Sequence, residues 1–375
     1  MTIISVIYIR RYLADAALNP APIWTHETRA GRSLLRISSD GKVIISYSGR
    51  ESPDRPRFDK DVIEVRDLST GDLIQEVYKG DETVHAIAVS PDGTMLAGRI
   101  GNVIQIWRFY HGVFKPSTTI RELVSAIEFS PDGTMLAGKE RNNAYMWDAK
   151  SGEFIWQKRE NVTYVIRSRR GERLFWEERQ YNTDSQRWLH FSPDGKHLAV
   201  PVLFRIERGG FKTMIRLLDT HTGKLIASGG ELGRIVFTGA YSHDGTVLAV
   251  AGCGPIELLA ADGLRSELVI DWKLPPLVNP QRWEEHPEDW PIVVTNDISL
   301  SPNDEIIAIA AYSGASHIQL IDAHSGSMIR YWYVKTRDLR RKSPSAFAFS
   351  PSGNEIVVTN GGMLSLYRVD EHKKR

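Results

Sequence analysis

A four-residue turn that returns seven times decides what this chain can become. Ser90-Pro91-Asp92-Gly93 recurs as Ser130-Pro131-Asp132-Gly133 and Ser192-Pro193-Asp194-Gly195. Looser copies stand at Ser39-Asp40-Gly41, Ser242-His243-Asp244-Gly245, Ser301-Pro302-Asn303-Asp304 and Ser350-Pro351-Ser352-Gly353. The fourth turn position falls at 41, 93, 133, 195, 245, 304 and 353, giving intervals of 52, 40, 62, 50, 59 and 49. A four-stranded repeat unit needs about 40–45 residues, so the longer intervals hold insertions.

The residue types have a physical reason. Proline sets φ for the second position of a type I turn, aspartate or asparagine suits the third, and glycine accepts the left-handed conformation that follows. Short apolar runs flank each turn, such as Ala86-Ile87-Ala88-Val89 before and Met95-Leu96-Ala97 after, and the whole reads as a tight hairpin. A third strand of period-two alternation follows, clearest at Val103-Ile104-Gln105-Ile106-Trp107 and Ala144-Tyr145-Met146-Trp147. A second turn then recurs as Asp67-Leu68-Ser69-Thr70-Gly71, Asp148-Ala149-Lys150-Ser151-Gly152, Asp219-Thr220-His221-Thr222-Gly223 and Asp322-Ala323-His324-Ser325-Gly326, each leading into a fourth strand. Four antiparallel strands per unit, repeated seven times about an axis, predict an all-β fold, a seven-bladed β-propeller.

The Trp147-Asp148 pair, the Trp107 position and the Ser-Pro-Asp-Gly turn resemble the WD-repeat family, over about residues 21 to 370. The resemblance implies a binding platform. There are departures: no blade carries the Gly-His pair that usually precedes the first strand, and the third strand ends in Leu218, Leu259, Ile321 or Tyr367 in several copies. The family's hydrogen-bonded tetrad is therefore expected to be missing, leaving packing to stabilise the blades. The last copy runs out after its third strand at Tyr367-Arg368-Val369, while Ile23-Trp24-Thr25-His26 matches the fourth-strand segment Ile155-Trp156-Gln157. An N-terminal strand should thus complete the seventh blade and leave no open edge. On this reading residues 21–375 form the propeller and residues 1–20 are an extension.

Composition bounds the function. With 47 Lys+Arg against 46 Asp+Glu the net charge is +1, so neither nucleic acid nor an anionic membrane is favoured as a partner by overall charge. The one cysteine, Cys253, allows no internal disulfide, and the apolar run at residues 3–9 is too short to span a bilayer and is followed, not preceded, by Arg10-Arg11. These features place the protein in the cytoplasm.

No catalytic constellation appears. Ser242-His243-Asp244 occupies a repeat turn, and adjacent residues cannot converge as a relay does. His286 among Glu284, Glu285, Glu288 and Asp289 reads as a hydrated loop, Cys253 between two glycines as a small turn residue, and His221 and His324 as equivalent positions of separate blades. No metal or cofactor is expected, and an axial ligand would need polar inner-strand positions where mostly Ala, Ile, Val and Phe stand.

Alternation of strands puts the first and third turns on one face and the second turns and blade links on the other. The first set is short and regular; the second is long and irregular, the place for binding. Residues 158–190 hold eight basic residues against five acidic, Arg169 and Arg170 among them. Within them Ser168-Arg169-Arg170-Gly171 echoes the repeat turn, with Leu174-Phe175-Trp176 as the strand after it, so an extra hairpin or an incomplete eighth blade could lie here. Arg205 and Arg208 sit in the second turn of blade four, Trp283 and Trp290 between blades five and six, and Arg337, Arg340 and Arg341 between blades six and seven. Arginine forks and tryptophan together suit an acidic peptide or a phosphate-bearing protein. The reading is a monomeric ring within a larger complex, a non-catalytic interaction scaffold. The alternatives are a propeller regulating or linked to an enzyme, and a small-ligand or metal receptor using the central channel.

Overall fold

The computed structural model describes residues 20–28, 33–48, 60–159, 164–167, 173–176, 186–205, 211–232, 235–270, 294–312, 316–333, 346–360 and 363–369. Strand β1 (Trp24–Glu27) precedes seven repeating units. Blade one is β2 to β5 (Ser33–Ile37, Val43–Ser48, Asp61–Asp67, Leu73–Gly80) and blade two β6 to β9 (Val84–Val89, Met95–Ile100, Val103–Tyr110, Val113–Ile120). Blade three is β10 to β13 (Ala126–Phe129, Met135–Glu140, Asn143–Asp148, Phe154–Lys158). A short hairpin, β14 (Tyr164–Arg167) and β15 (Arg173–Trp176), precedes blade four, β16 to β19 (His190–Phe191, His197–Arg205, Phe211–Asp219, Leu225–Leu232). Blade five is β20 to β23 (Val236–Tyr241, Val247–Gly252, Gly254–Ala260, Ser266–Ile270) and blade six β24 to β27 (Val294–Leu300, Ile306–Tyr312, Ser316–Asp322, Met328–Tyr333). Blade seven takes β28 to β30 (Ala346–Phe349, Glu355–Asn360, Met363–Arg368).

Each blade is a four-stranded antiparallel sheet in chain order, except the last, whose order is β1-β30-β29-β28. The N-terminal strand therefore closes the ring, in the register Trp24↔Leu366, Thr25↔Ser365, His26↔Leu364 and Glu27↔Met363. The innermost strands touch in unbroken succession, β2 to β6, β10, β16, β20, β24 and β28, and β28 returns to β2. The echo of the repeat turn in residues 164–176 makes a hairpin, as expected, but it stays a two-stranded sheet of its own and adds no blade.

The core lies between blades. Seven apolar clusters fill the seven seams, one per neighbouring pair. Ile104 and Ile106 of blade two meet Leu136 and Trp147 of blade three, and Leu35 and Ile44 of blade one meet Val357 and Leu366 of blade seven. Alternation along each strand supplies both faces of a blade, and each face becomes half of a seam. The third-strand tryptophans need room, which explains Leu-Ala-Gly in the strand before them. A Cβ on Gly138 would sit 2.6 Å from the Trp147 ring, and one on Gly98 3.1 Å from Trp107.

Fourth strands are latched to the next blade. Trp24 Nε1 donates to Leu68 O at 3.0 Å, and Trp156 Nε1 donates to Thr220 O at 2.8 Å. The glycine of the receiving turn, Gly71 or Gly223, lies against the same indole. The likeness of Trp24 to Trp156 in sequence thus reflects one interaction made twice, once across the closure.

Candidate functional site

The two faces of the ring differ in kind. On the turn face all seven first turns share one bonding pattern. The first-position serine donates its hydroxyl to the third-position side chain, from Ser38 to Asp40 at 2.7 Å, Ser130 to Asp132 at 2.6 Å and Ser301 to Asn303 at 2.7 Å. Even Ser350 and Ser352 are bonded to each other, hydroxyl to hydroxyl, at 3.0 Å. These bonds hold carboxylates ionised: the serine hydroxyls chiefly lower Asp40, Asp132 and Asp244, and Asp194 falls to about 2. The divergent copies are true copies, and their aspartates are committed to the turn.

One neighbouring pair departs together. In most copies the fourth-position glycine packs on the proline of the preceding blade, as Gly195 does on Pro131 and Gly245 on Pro193. Blade five carries His243 where that proline stands, and blade six carries Asp304, at φ 56°, where the glycine stands. The Asp304 carboxylate accepts the His243 N–H at 2.7 Å and the Asp244 N–H at 3.0 Å. A proline has no N–H to offer, so the exchange of one residue gives the other its role. The string Ser242-His243-Asp244 is fully occupied by this turn.

The opposite face carries the second turns and the links between blades. All first and third turns fall among the described residues, whereas 29–32, 49–59, 206–210, 271–293 and 334–345, which in sequence follow strand ends on the other side, lie outside them. Arg205 ends β17, which with β18 forms the longest hairpin of the ring, nine residues a strand, in the register Arg205↔Phe211. Arg169, Arg170, Arg208, Trp283, Trp290, Arg337, Arg340 and Arg341 lie outside the described residues, as does the carboxylate run around His286. What the structure places are their flanks. Arg169 and Arg170 stand in sequence between the paired strands β14 and β15, Arg208 between β17 and β18, and Arg337, Arg340 and Arg341 between β27 and β28.

No protein-family model matches the chain, and no curated protein matches it. Among solved structures it is similar to the crystal structure of the β-propeller domain of Cps50 (Swd1) from Myceliophteria thermophila. The TM-score is 0.65 at 15% identity, over 94% of this chain and 100% of that one. The chain is a seven-bladed β-propeller. At that identity the likeness concerns fold.

The propeller's axial channel corrects the sequence reading. Inner strands were expected to offer mostly apolar side chains to the axis, yet charges stand there. The position five residues before the fourth turn residue reads Arg36, Ala88, Glu128, His190, Ala240, Ser299 and Ala348 around the ring. Glu128 Oε2 and His190 Nδ1 are 2.9 Å apart, with side-chain exposures of 32% and 26%. Asp297, two residues before Ser299, accepts the Phe347 N–H at 3.3 Å and the Ile298 N–H at 3.1 Å. Burial raises its carboxyl to about 6, against the pull of Arg36, the two N–H groups and His190. Tyr241 is raised too, by burial and then by Glu128 and Asp194. Arg36, Glu128, His190 and Asp297 come from blades one, three, four and six. Aligning the seven turns and reading that one column would have found three of the four.

Other candidates fall away. Cys253 is half-buried between β21 and β22, and burial raises its thiol. His221 and His324 are exposed in separate turns or flank them. Among the described residues no group of three His, Cys, Asp or Glu is placed to hold a metal ion, and no helix is long and apolar enough to cross a membrane.

Proposed function

We propose that this propeller is a non-catalytic interaction scaffold whose loop face captures an acidic or phosphate-bearing protein segment. The observation that carries the reading is that the long second turns and blade links all leave one side of the ring, while the other side carries short, repeated turns. The segments that interrupt that side carry Arg169, Arg170, Arg205, Arg208, Arg337, Arg340 and Arg341 with Trp283 and Trp290, whereas the turn side commits its aspartates to its own turns. A preformed ring loses little conformational entropy on binding, and guanidinium forks match carboxylate and phosphate geometry. A propeller-domain likeness is compatible with protein partners and does not name one.

The test is fluorescence anisotropy with a pool of acidic peptides and its phosphorylated counterpart, at low and moderate salt, on the intact chain and on Arg340→Ala/Arg341→Ala. Binding that weakens at least several-fold with salt and again in the variant supports the reading. Equal affinity in both proteins moves the site off this segment, and no binding to either pool removes the scaffold's proposed chemistry. A second reading, a polar small ligand in the channel, has the charges of Arg36, Glu128, His190 and Asp297 in its favour. Loss of any channel ligand in Glu128→Gln with peptide binding intact would separate the two.

A further inference from the structure

The seam between blades three and four holds the most deeply buried amine among the described residues. Lys139, near the end of β11, is 1% exposed. Its Nζ donates to Arg141 O on its own hairpin and to Gln186 O at 2.9 Å, where the chain returns to the ring ahead of blade four. Polar bonds surround it. Asn142 grips Leu203 through both N–H and C=O, at 3.1 and 3.3 Å, and Gln186 Nε2 donates to Thr213 Oγ1 at 2.7 Å. Thr213 Oγ1 in turn accepts the Val236 N–H at 3.2 Å, carrying the network into blade five. On the turn side the same seam is apolar, with Ala137 and Met146 against Leu198 and Val200.

An ammonium needs three acceptors and, when buried, an anion. Lys139 has two carbonyl acceptors, the number that a neutral amine's two N–H groups satisfy. The charges on the surrounding elements are Glu140 and Arg141 on its own hairpin, Lys158 across β12 on β13, Arg187 on the returning chain, and Glu128 and His190 on the inner strands. Glu140 alone opposes neutrality, and it is engaged with Arg141 at 4.0 Å. Burial wins and lowers the amine to about 7.

We propose that Lys139 is a proton-sensitive pin. As the neutral amine it ties Arg141 O to Gln186 O and keeps the loop-side seam between blades three and four closed, and protonation loosens that seam. The folded state then binds the proton less readily than the unfolded chain, so the seam tightens as pH rises from the folded midpoint toward the ordinary lysine value and is indifferent to pH below it. The seam borders the face that carries the insertions, so their anchoring varies with pH from neutrality upward whatever they bind.

The experiment uses the full chain. Nuclear magnetic resonance of the Lys139 ε-carbon and ζ-nitrogen should show a midpoint of about 7; a midpoint at the ordinary lysine value of about 10.4 overturns the proposal. Hydrogen exchange, corrected for intrinsic rates, reads the consequence at the Leu203 amide. Its protection should fall by up to about tenfold per pH unit as pH drops from the ordinary lysine value of about 10.4 to the midpoint and level off below it, with Ile307 across the ring unchanged. Lys139→Met should abolish the slope. A wild-type Leu203 amide indifferent to pH, or the same slope in the variant, overturns the pin. Should the variant not fold, the wild-type titration and exchange decide.

Discussion

Replacing His243 by proline and Asp304 by glycine restores the commoner pair of turns, and each change alone should harm what the two together leave intact. In Asp304→Gly the His243 and Asp244 N–H groups lose a carboxylate at 2.7 and 3.0 Å. Both bonds are solvent-exposed, so about 2 kcal/mol is lost in all. Relief of a non-glycine residue at φ 56° returns about 1 kcal/mol, leaving a net cost of about 1 kcal/mol. His243→Pro removes one donor and brings a ring toward a position where glycine elsewhere leaves little space; a Cβ on Gly353 would lie 3.2 Å from Pro302. That variant should cost about 1–2 kcal/mol. The double variant should unfold within about 0.5 kcal/mol of wild type, a coupling of about 2 kcal/mol. Urea unfolding of the four proteins, compared at a common slope, gives the cycle. Additive single changes would mean that the two turns do not read each other, and the account of the paired exchange would be wrong.

Two further outcomes follow from the closure and the channel. Trp24→Phe should cost about 1 kcal/mol, the indole hydrogen bond to Leu68 O, and Trp24→Ala about 2–3 kcal/mol as packing is lost too; thermal melts that do not move would refute closure by β1. Asp297 binds its proton more tightly folded than unfolded, so its contribution is full below 3.8 and is lost as pH rises through about 6. Asp297→Asn keeps an oxygen for only one of the Phe347 and Ile298 N–H groups, which donate to separate carboxylate oxygens. It should flatten stability across that window and gain about 1–2 kcal/mol at pH 7, less than the full shift because one N–H loses its acceptor. An unchanged pH profile would place the effect elsewhere.

The ring was legible in the sequence because its signals are local and repeated. A serine that caps an aspartate two residues on, a glycine that turns left-handed, and alternating strands around them all act within about ten residues, so seven imperfect copies reinforce one another. Closure was legible for the same reason: Trp24 resembles Trp156 because both donate to a turn of the following blade. The channel charges were not. Arg36, Glu128 and His190 each occur once in a short strand and Asp297 in a mixed one, and only the closing of the sheet series into a ring brings them to a common axis.

Lys139 hid behind the same logic. A lysine at the penultimate position of a strand reads as a solvated end, and Met135-Leu136-Ala137-Gly138-Lys139-Glu140 gives no hint otherwise. It is buried because the chain that leaves blade three comes back over it at Gln186, 47 residues later. The equivalent residue of blade two is Arg99, which as a whole is half-buried where Lys139 is buried. An insertion in this repeat protein therefore does more than decorate a face: where its end re-enters the ring it changes the solvent of a residue the repeat would have left wet, and so creates a titrating group that neither the repeat nor the insertion contains alone.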